Sequence, residues 1–321
     1  MQFSFAQLAI FAMALRVASA APTMDTRTGL ERRDAYFHYK QVFPVRKTSN
    51  KDKYSSSSSI AKATTKKTSK ASKTSSAAAS TITGARSSGS ASTGDSIPAS
   101  SGSSALSAVQ TIAAGESFDG GMDMYDRGVS CTGQTEGGDS DAVFQIEAGG
   151  SLSNVIIGPN QIEGVHCQGG CTLKNVWWSA VCEDAFTIKN QESGETTTIS
   201  GGGAFGADDK VFQHNGAGTL SVSDFTVDTF GKLYRSCGNC DTMYERHVIM
   251  DSITATDGSE LAGINYNYGD TATFTNIVAN NVDDICVEYT GTDDDSEEPT
   301  EYKSGADGKY CSYSDSDITT S

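Results

Sequence analysis

Three acids, Glu163, Glu183 and Asp184, are the side chains whose type and spacing point most directly to chemistry. Glu183 and Asp184 are adjacent, and Glu163 precedes Glu183 by 20 positions. One coil of a β-solenoid takes roughly 20 residues or more, so acids at this spacing stack on one face if the chain coils that way. Three carboxylates on one face suit a hard divalent cation such as Ca²⁺, which prefers oxygen ligands. Acids scattered over a solvated surface are the alternative that spacing alone leaves open. Between them, Leu173, Val176, Trp177, Trp178 and Val181 read as a short buried strand bounded by Gly and Cys. Strand alternation would send one tryptophan of the pair inward and the other outward, where it could stack on a sugar ring.

Charge narrows the partners. The 321 residues carry 24 Lys/Arg and 40 Asp/Glu, a net −16. Residues 1–104 hold 15 of the bases and 5 of the acids, whereas residues 105–321 hold 9 and 35. The second part is therefore a poor nucleic-acid binder, because phosphate is repelled. It could meet a polyanion only through a bridging cation or a local cluster of its few Lys and Arg. His166 and His214 lack an ordered nucleophile–base–acid constellation and read as structural.

The leader is read from its composition. The apolar core at 8–15 followed by Ala18-Ser19-Ala20 predicts a secretory signal over 1–20, too short for a membrane span. Residues 21–46 read as a leader whose Arg32-Arg33 pair could be a processing site. Residues 47–104 are Ser, Thr, Ala and Lys with almost no large apolar side chain, which predicts a disordered linker open to O-glycosylation. No later stretch could cross a membrane, so the expectation is a secreted monomer with no membrane partner. All 8 cysteines lie beyond residue 130, and an even count in an exported chain predicts disulfides of open connectivity. Cys237-Gly-Asn-Cys240 has redox spacing without the strand–helix context of thioredoxin-like chemistry and reads as structural.

From residue 105 the pattern is all-β. Candidate strands fall at 142–147, 154–157, 173–178, 196–200, 210–214, 220–227, 247–250 and 272–278. A repeated element, Leu152-Ser-Asn-Val155, Leu173-Lys-Asn-Val176 and Phe274-Thr-Asn-Ile277, places the first two asparagines 21 residues apart. Short, regularly spaced strands with Gly-rich turns predict a parallel β-helix, with a β-sandwich as the alternative of similar strand length. The acidic run 293–298 reads as a solvated loop before Cys311 staples the end.

Six motifs occur in order: Glu163-Gly-Val-His-Cys, Asn175-Val-Trp-Trp, Val181-Cys-Glu-Asp-Ala, Gly201-Gly-Gly-Ala, Asp209-Lys-Val-Phe-Gln-His-Asn-Gly216 and Gly231-Lys-Leu-Tyr-Arg-Ser-Cys-Gly-Asn-Cys240. Together they resemble the secreted pectate lyases of polysaccharide lyase family 3, the fungal branch above all, over roughly 106–311. The resemblance implies a right-handed single-stranded parallel β-helix and calcium-dependent β-elimination of polygalacturonate, giving 4,5-unsaturated oligogalacturonides. It implies calcium coordination by Glu163, Glu183 and Asp184, and a catalytic basic cluster of Lys210, Lys232 and Arg235. Asp209 matches an acid of the same motif and is expected to bind a second, substrate-bridging calcium.

The chemistry asks these residues for a base at C5 of a galacturonate and for cations against its carboxylate. Lys210 is the expected base, with neighbouring cations opposing its protonation and nearby acids favouring it. Lys232 and Arg235 are expected to grip the carboxylate and stabilise developing charge, Arg being suited to a bidentate hold. A base of this type predicts activity rising into the alkaline range. Two other functions stay open: a β-helix pectin hydrolase using paired acids, and a non-catalytic wall-binding protein. The first lacks Gly-His-Gly and Arg-Ile-Lys signatures here, and the second gives no reason to keep the basic trio.

Overall fold

The computed structural model describes residues 96–320. The expected signal (1–20), the leader (21–46) with Arg32-Arg33, and the linker up to residue 95 lie outside the described residues. The chain forms strands β1 (Ser103–Ala105), β2 (Gln110–Ile112), β3 (Ser117–Asp126), β4 (Ala142–Ile146), β5 (Ser151–Ile157), β6 (Glu163–Cys167), β7 (Thr172–Trp178) and β8 (Asp184–Ile188). Four long strands of 19–20 residues follow: β9 (Thr196–His214), β10 (Gly218–Ser236), β11 (Arg246–Asn265) and β12 (Thr271–Thr290). Short strands β13 (Thr300–Ser304), β14 (Cys311–Ser312) and β15 (Ile318–Thr320) close it. The first strand straddles the expected boundary at 105. Among the described residues no helix is long and apolar enough to cross a membrane.

The pairing order defines the architecture. Strands β1, β3, β5 and β7 stack in parallel along one face, and β2, β4, β6 and β8 along another. Both ladders run into β9, because β7 pairs with its first half and β8 with its second. From there β10, β11 and β12 each carry both faces as one bent ribbon. This is the parallel β-helix that the strand spacing predicted, not a sandwich, and it is of the right-handed single-stranded kind that the resemblance implied.

The bends are made by left-handed residues in register. Asn154, Asn175, Asp224, Ser252 and Asn276 have φ between 53° and 59°, and Gly201 takes the same place on its coil. Asn and Asp tolerate this conformation better than other L-residues. A side-chain ladder secures them: Asn175 Nδ2 donates to Asn154 Oδ1 at 2.9 Å, and Asn154 Nδ2 donates to the Asp119 carboxylate at 3.1 Å. The repeated asparagine of the sequence is thus a corner. Inside the coil the apolar positions superpose, Leu152 on Leu173, Leu173 on Ile199, Ile199 on Val222, Val222 on Met250 and Met250 on Phe274, all buried. Each coil covers the next, which replaces the closed core of a globular domain. Trp178 lies in this interior, while Trp177 is covered on the other side and donates Nε1–H to Asn175 Oδ1.

Cysteines close four disulfides: Cys131–Cys182, Cys167–Cys171, Cys237–Cys240 and Cys286–Cys311. Cys237 and Cys240 are bonded to each other.

His214 is fully buried, with Nε2 donating to the Ala217 carbonyl and Nδ1 accepting from the Tyr234 hydroxyl. Burial pushes it down to about 3, assisted by Arg246 and His247 and opposed by the Ala217 bond. The unfolded chain takes up this proton near pH 6.5, whereas the fold refuses it until far lower pH. Stability contributed by neutral His214 is therefore complete above about pH 6.5 and falls by roughly 1.4 kcal/mol per unit as pH drops toward the folded value. Urea unfolding from pH 7 to 4 should show this slope, and a His214→Gln variant should flatten it.

Candidate active site

The site residues follow from register. Asp184 opposes Lys210, Lys210 opposes Lys232, and Lys232 opposes Glu260, which opposes Asp284. Val165 opposes Phe186, so Glu163 and Asp184, two residues earlier on each strand, fall at the same level. Parallel neighbours stand about 4.8 Å apart, so the fold converts residues 21–28 apart in sequence into one charged column. Gly164 permits the close stacking beside Glu163, because a Cβ there would lie 2.1 Å from the Ala185 carbonyl oxygen.

The three acids are buried, with Glu163, Glu183 and Asp184 exposed by only 3%, 2% and 3%. Oxygens of Glu163 and Glu183 converge with one from Glu136, all within 4.8 Å of one another. Glu163 is clamped on both oxygens: Gly137 N–H donates to Oε1 at 2.9 Å, and His166 Nε2 lies 3.3 Å from Oε2. His166 in turn meets Asp139 through Nδ1 at 2.9 Å. His166 thus sits between two acids, Asp139 and Glu163.

Glu136 and Asp139 were not found from the sequence. They lie on the loop between β3 and β4, which has no periodicity. The loop is tied down by the Cys131–Cys182 disulfide and by Gln134 Nε2 donating to the Cys182 carbonyl at 2.7 Å. The half-cystine adjoining Glu183 is the one signal that links the two segments.

The acid cluster fits a hard cation. All its donors are carboxylate oxygens. Glu183 Oε2 has no hydrogen-bond partner among the described residues, and Asp184 Oδ1 has only the 3.5 Å approach of Lys210 Nζ. Burial pushes both Glu183 and Asp184 above the usual carboxylate range, with Lys210 opposing and Glu163 adding to the rise. Acids in this state call for a positive charge. If Glu136 contributes, Glu136→Gln should weaken Ca²⁺ binding about tenfold in a calorimetric titration and leave unfolding unchanged, since Glu136 is exposed.

Lys210 joins this cluster to the bases. Its Nζ lies 2.7 Å from Asp209 Oδ2, 3.4 Å from Glu183 Oε1 and 3.5 Å from Asp184 Oδ1. Burial works against its charge, but Asp184, Asp209 and Glu183 prevail and hold the proton on more firmly than in water. Asp209 also meets Lys232 Nζ at 3.2 Å. Although burial opposes it, the two lysines keep Asp209 below the usual carboxylate range. In this structure Asp209 is thus the anion between two lysines.

Arg235 lies three residues beyond Lys232 on β10, buried, with its Cζ 3.9 Å from the Tyr289 ring centroid. Its Nη1 has no hydrogen-bond partner among the described residues. Burial lowers its pKa, with Glu260 and Tyr289 opposing. Glu260 links Arg235 to the column, since it opposes Lys232 in register and interacts electrostatically with both.

A parallel β-helix with this charged face defines the class, and the family model for pectate lyase matches residues 94–296. The chain belongs to the pectate lyase family and is a pectate lyase. It is similar to pectate lyase H of Emericella nidulans, 60% identical over 220 residues, covering 68% of this chain and 83% of the relative. Pectate lyase E of the same fungus is 54% identical over 219 residues, covering 68% and 84%. Among solved structures, the catalytic domain of pectate lyase PelI from Erwinia chrysanthemi matches with a TM-score of 0.57 at 30% identity, covering 65% of this chain and 97% of that one. PelI in complex with tetragalacturonic acid matches at 0.56 and 31%, covering 65% and 70%.

Proposed function

We propose that the chain cleaves low-ester polygalacturonate outside the cell by calcium-dependent β-elimination, leaving 4,5-unsaturated oligogalacturonides. The observation that carries this reading is the column in which Lys210 stands between the acid cluster and Lys232. Glu163, Glu183 and Asp184 would hold the calcium, with Glu136 beside them. Held there, such an ion would supply positive charge to offset the substrate carboxylate and so favour loss of the C5 hydrogen.

The chain's own residues do the rest. Lys210 takes the C5 hydrogen as a proton, and the electron pair left at C5 forms the C4–C5 double bond as the C4–O4 bond breaks, O4 leaving with the bonding pair and taking a proton from water. A base must first give up its own proton, and the acids around Lys210 resist this. Offsetting those acids is therefore a condition of the mechanism, consistent with activity that rises on the alkaline side. Lys232 and Arg235 bind the uronate carboxylate and carry the charge that grows on it, the interaction that lowers a barrier. Asp209 occupies the gap between the two lysines that such a carboxylate would enter. To serve as ligand of a second, substrate-bridging calcium it would turn away from both.

The test is polygalacturonate with calcium, then with a chelator, followed by ultraviolet absorbance of the unsaturated product and by reducing ends. The proposal expects absorbance with calcium alone. Reducing ends without absorbance would mean hydrolysis, and neither signal would mean a binder; either overturns it.

A further inference from the structure

Glu260 is a buried carboxylate beside a buried arginine that it does not pair with. It is 6% exposed and Arg235 is 7% exposed. Both reach the same spot over Gly263: a Cβ there would lie 2.1 Å from Glu260 Oε1 and 3.0 Å from Arg235 Nη1. Yet both of those atoms lack a hydrogen-bond partner among the described residues. Burying two opposite charges side by side without direct hydrogen bonds between them is costly, since those bonds normally help to offset desolvation.

Tyr289 touches both groups. Its hydroxyl donates to Glu260 Oε2 at 2.6 Å, while the guanidinium carbon of Arg235 sits 3.9 Å over its ring centroid. Tyr289 reaches both because it is on the coil after Glu260 and opposes Asn265, just beyond Gly263, the register partner of Arg235. On the other side Gly238 leaves room, since a Cβ there would be 2.6 Å from Arg235 Nη2 and 2.5 Å from Pro299 Cγ. The guanidinium is therefore held between Tyr289 and a wall bearing Pro299, with Nη1 unengaged.

We propose that Tyr289 is a positioning residue that keeps Glu260 from closing on Arg235, so that the guanidinium stays available to a uronate carboxylate. The ring fixes the plane of the cation, and the hydroxyl occupies the carboxylate that would otherwise quench it. A direct Glu260–Arg235 pair would take up the donors that a bidentate grip needs. This rests on the pectate reading only for the identity of the ligand; the arrangement of the three side chains is independent of it.

Tyr289→Phe keeps the ring and frees Glu260. It is expected to raise KM for polygalacturonate about tenfold with a much smaller change in kcat. Adding Glu260→Gln should restore KM to within about threefold, whereas a merely structural role would make the double variant worse than the single. A crystal structure of Tyr289→Phe should show Glu260 hydrogen-bonded to Arg235. An unmoved Glu260 overturns the proposal, as does an unchanged KM or a double variant that is not rescued. If Glu260 closes on Arg235 but the wild type does not degrade pectate, the positioning role stands and the substrate reading fails.

Discussion

Lys210→Ala is expected to lower kcat on polygalacturonate by about a thousandfold, within the range that general-base catalysis usually contributes. Binding should survive, because Lys232 and Arg235 remain. The variant also removes the cation that three acids share, and breaking a buried ion pair on one side typically costs about 3–5 kcal/mol. With Lys210 13% exposed at its side chain, the loss should be smaller than that. Unfolding must therefore be measured in calcium, where the acids keep a counter-charge. Lys210→Arg separates the two roles, since it restores the charge but holds its proton too tightly to act as a base. Stability and calcium affinity should return while turnover stays lost. Full turnover in Lys210→Arg would move the base elsewhere on the column, with Arg235 the next candidate.

The second large effect concerns the acids. A Glu183→Gln/Asp184→Asn variant should lose its calcium response and all turnover, and in the absence of calcium it should melt higher than the wild type. Two buried acids raised by burial hold their charge at a cost, and amides of the same shape remove it. In the wild type, calcium at about a hundred times its dissociation constant should contribute about 2.7 kcal/mol. For a domain of this size that is a rise of about 5–10 °C in the unfolding midpoint. Scanning calorimetry with and without chelator reads both results without any substrate. An apo variant less stable than the apo wild type would show that these acids are structural partners of Lys210 instead.

Much of this face was legible in the sequence because stacking turns spacing into proximity. Glu163, Asp184, Lys210 and Lys232 meet since each coil spans 21–26 residues, and the asparagine repeat already carried that period. Both strands that bear the acids, β6 and β8, escaped notice. Each is five residues long and buried throughout, so neither shows the apolar–polar alternation by which a strand is read. The pieces at 196–200 and 210–214 were separate in sequence and are one strand in the fold, because Gly201 and Gly206 bend β9 without ending it. Glu136, Asp139, Glu260 and Tyr289 were not legible at all. Two lie in an aperiodic loop, and the other two gain their meaning only from register with Lys232 and Arg235.

A stack of coils has two open ends, and unravelling by fraying starts there. Lys210 and Lys232 lie on β9 and β10, with β8, β6 and β4 on one side and β11 and β12 on the other. The outermost turn after β12 is clipped by Cys286–Cys311. Opening from either terminus must peel away at least two turns before it reaches the bases. The coils around residues 210 and 232 should therefore exchange their backbone hydrogens more slowly than those at the two ends, insulating the chemistry in the middle from thermal breathing there.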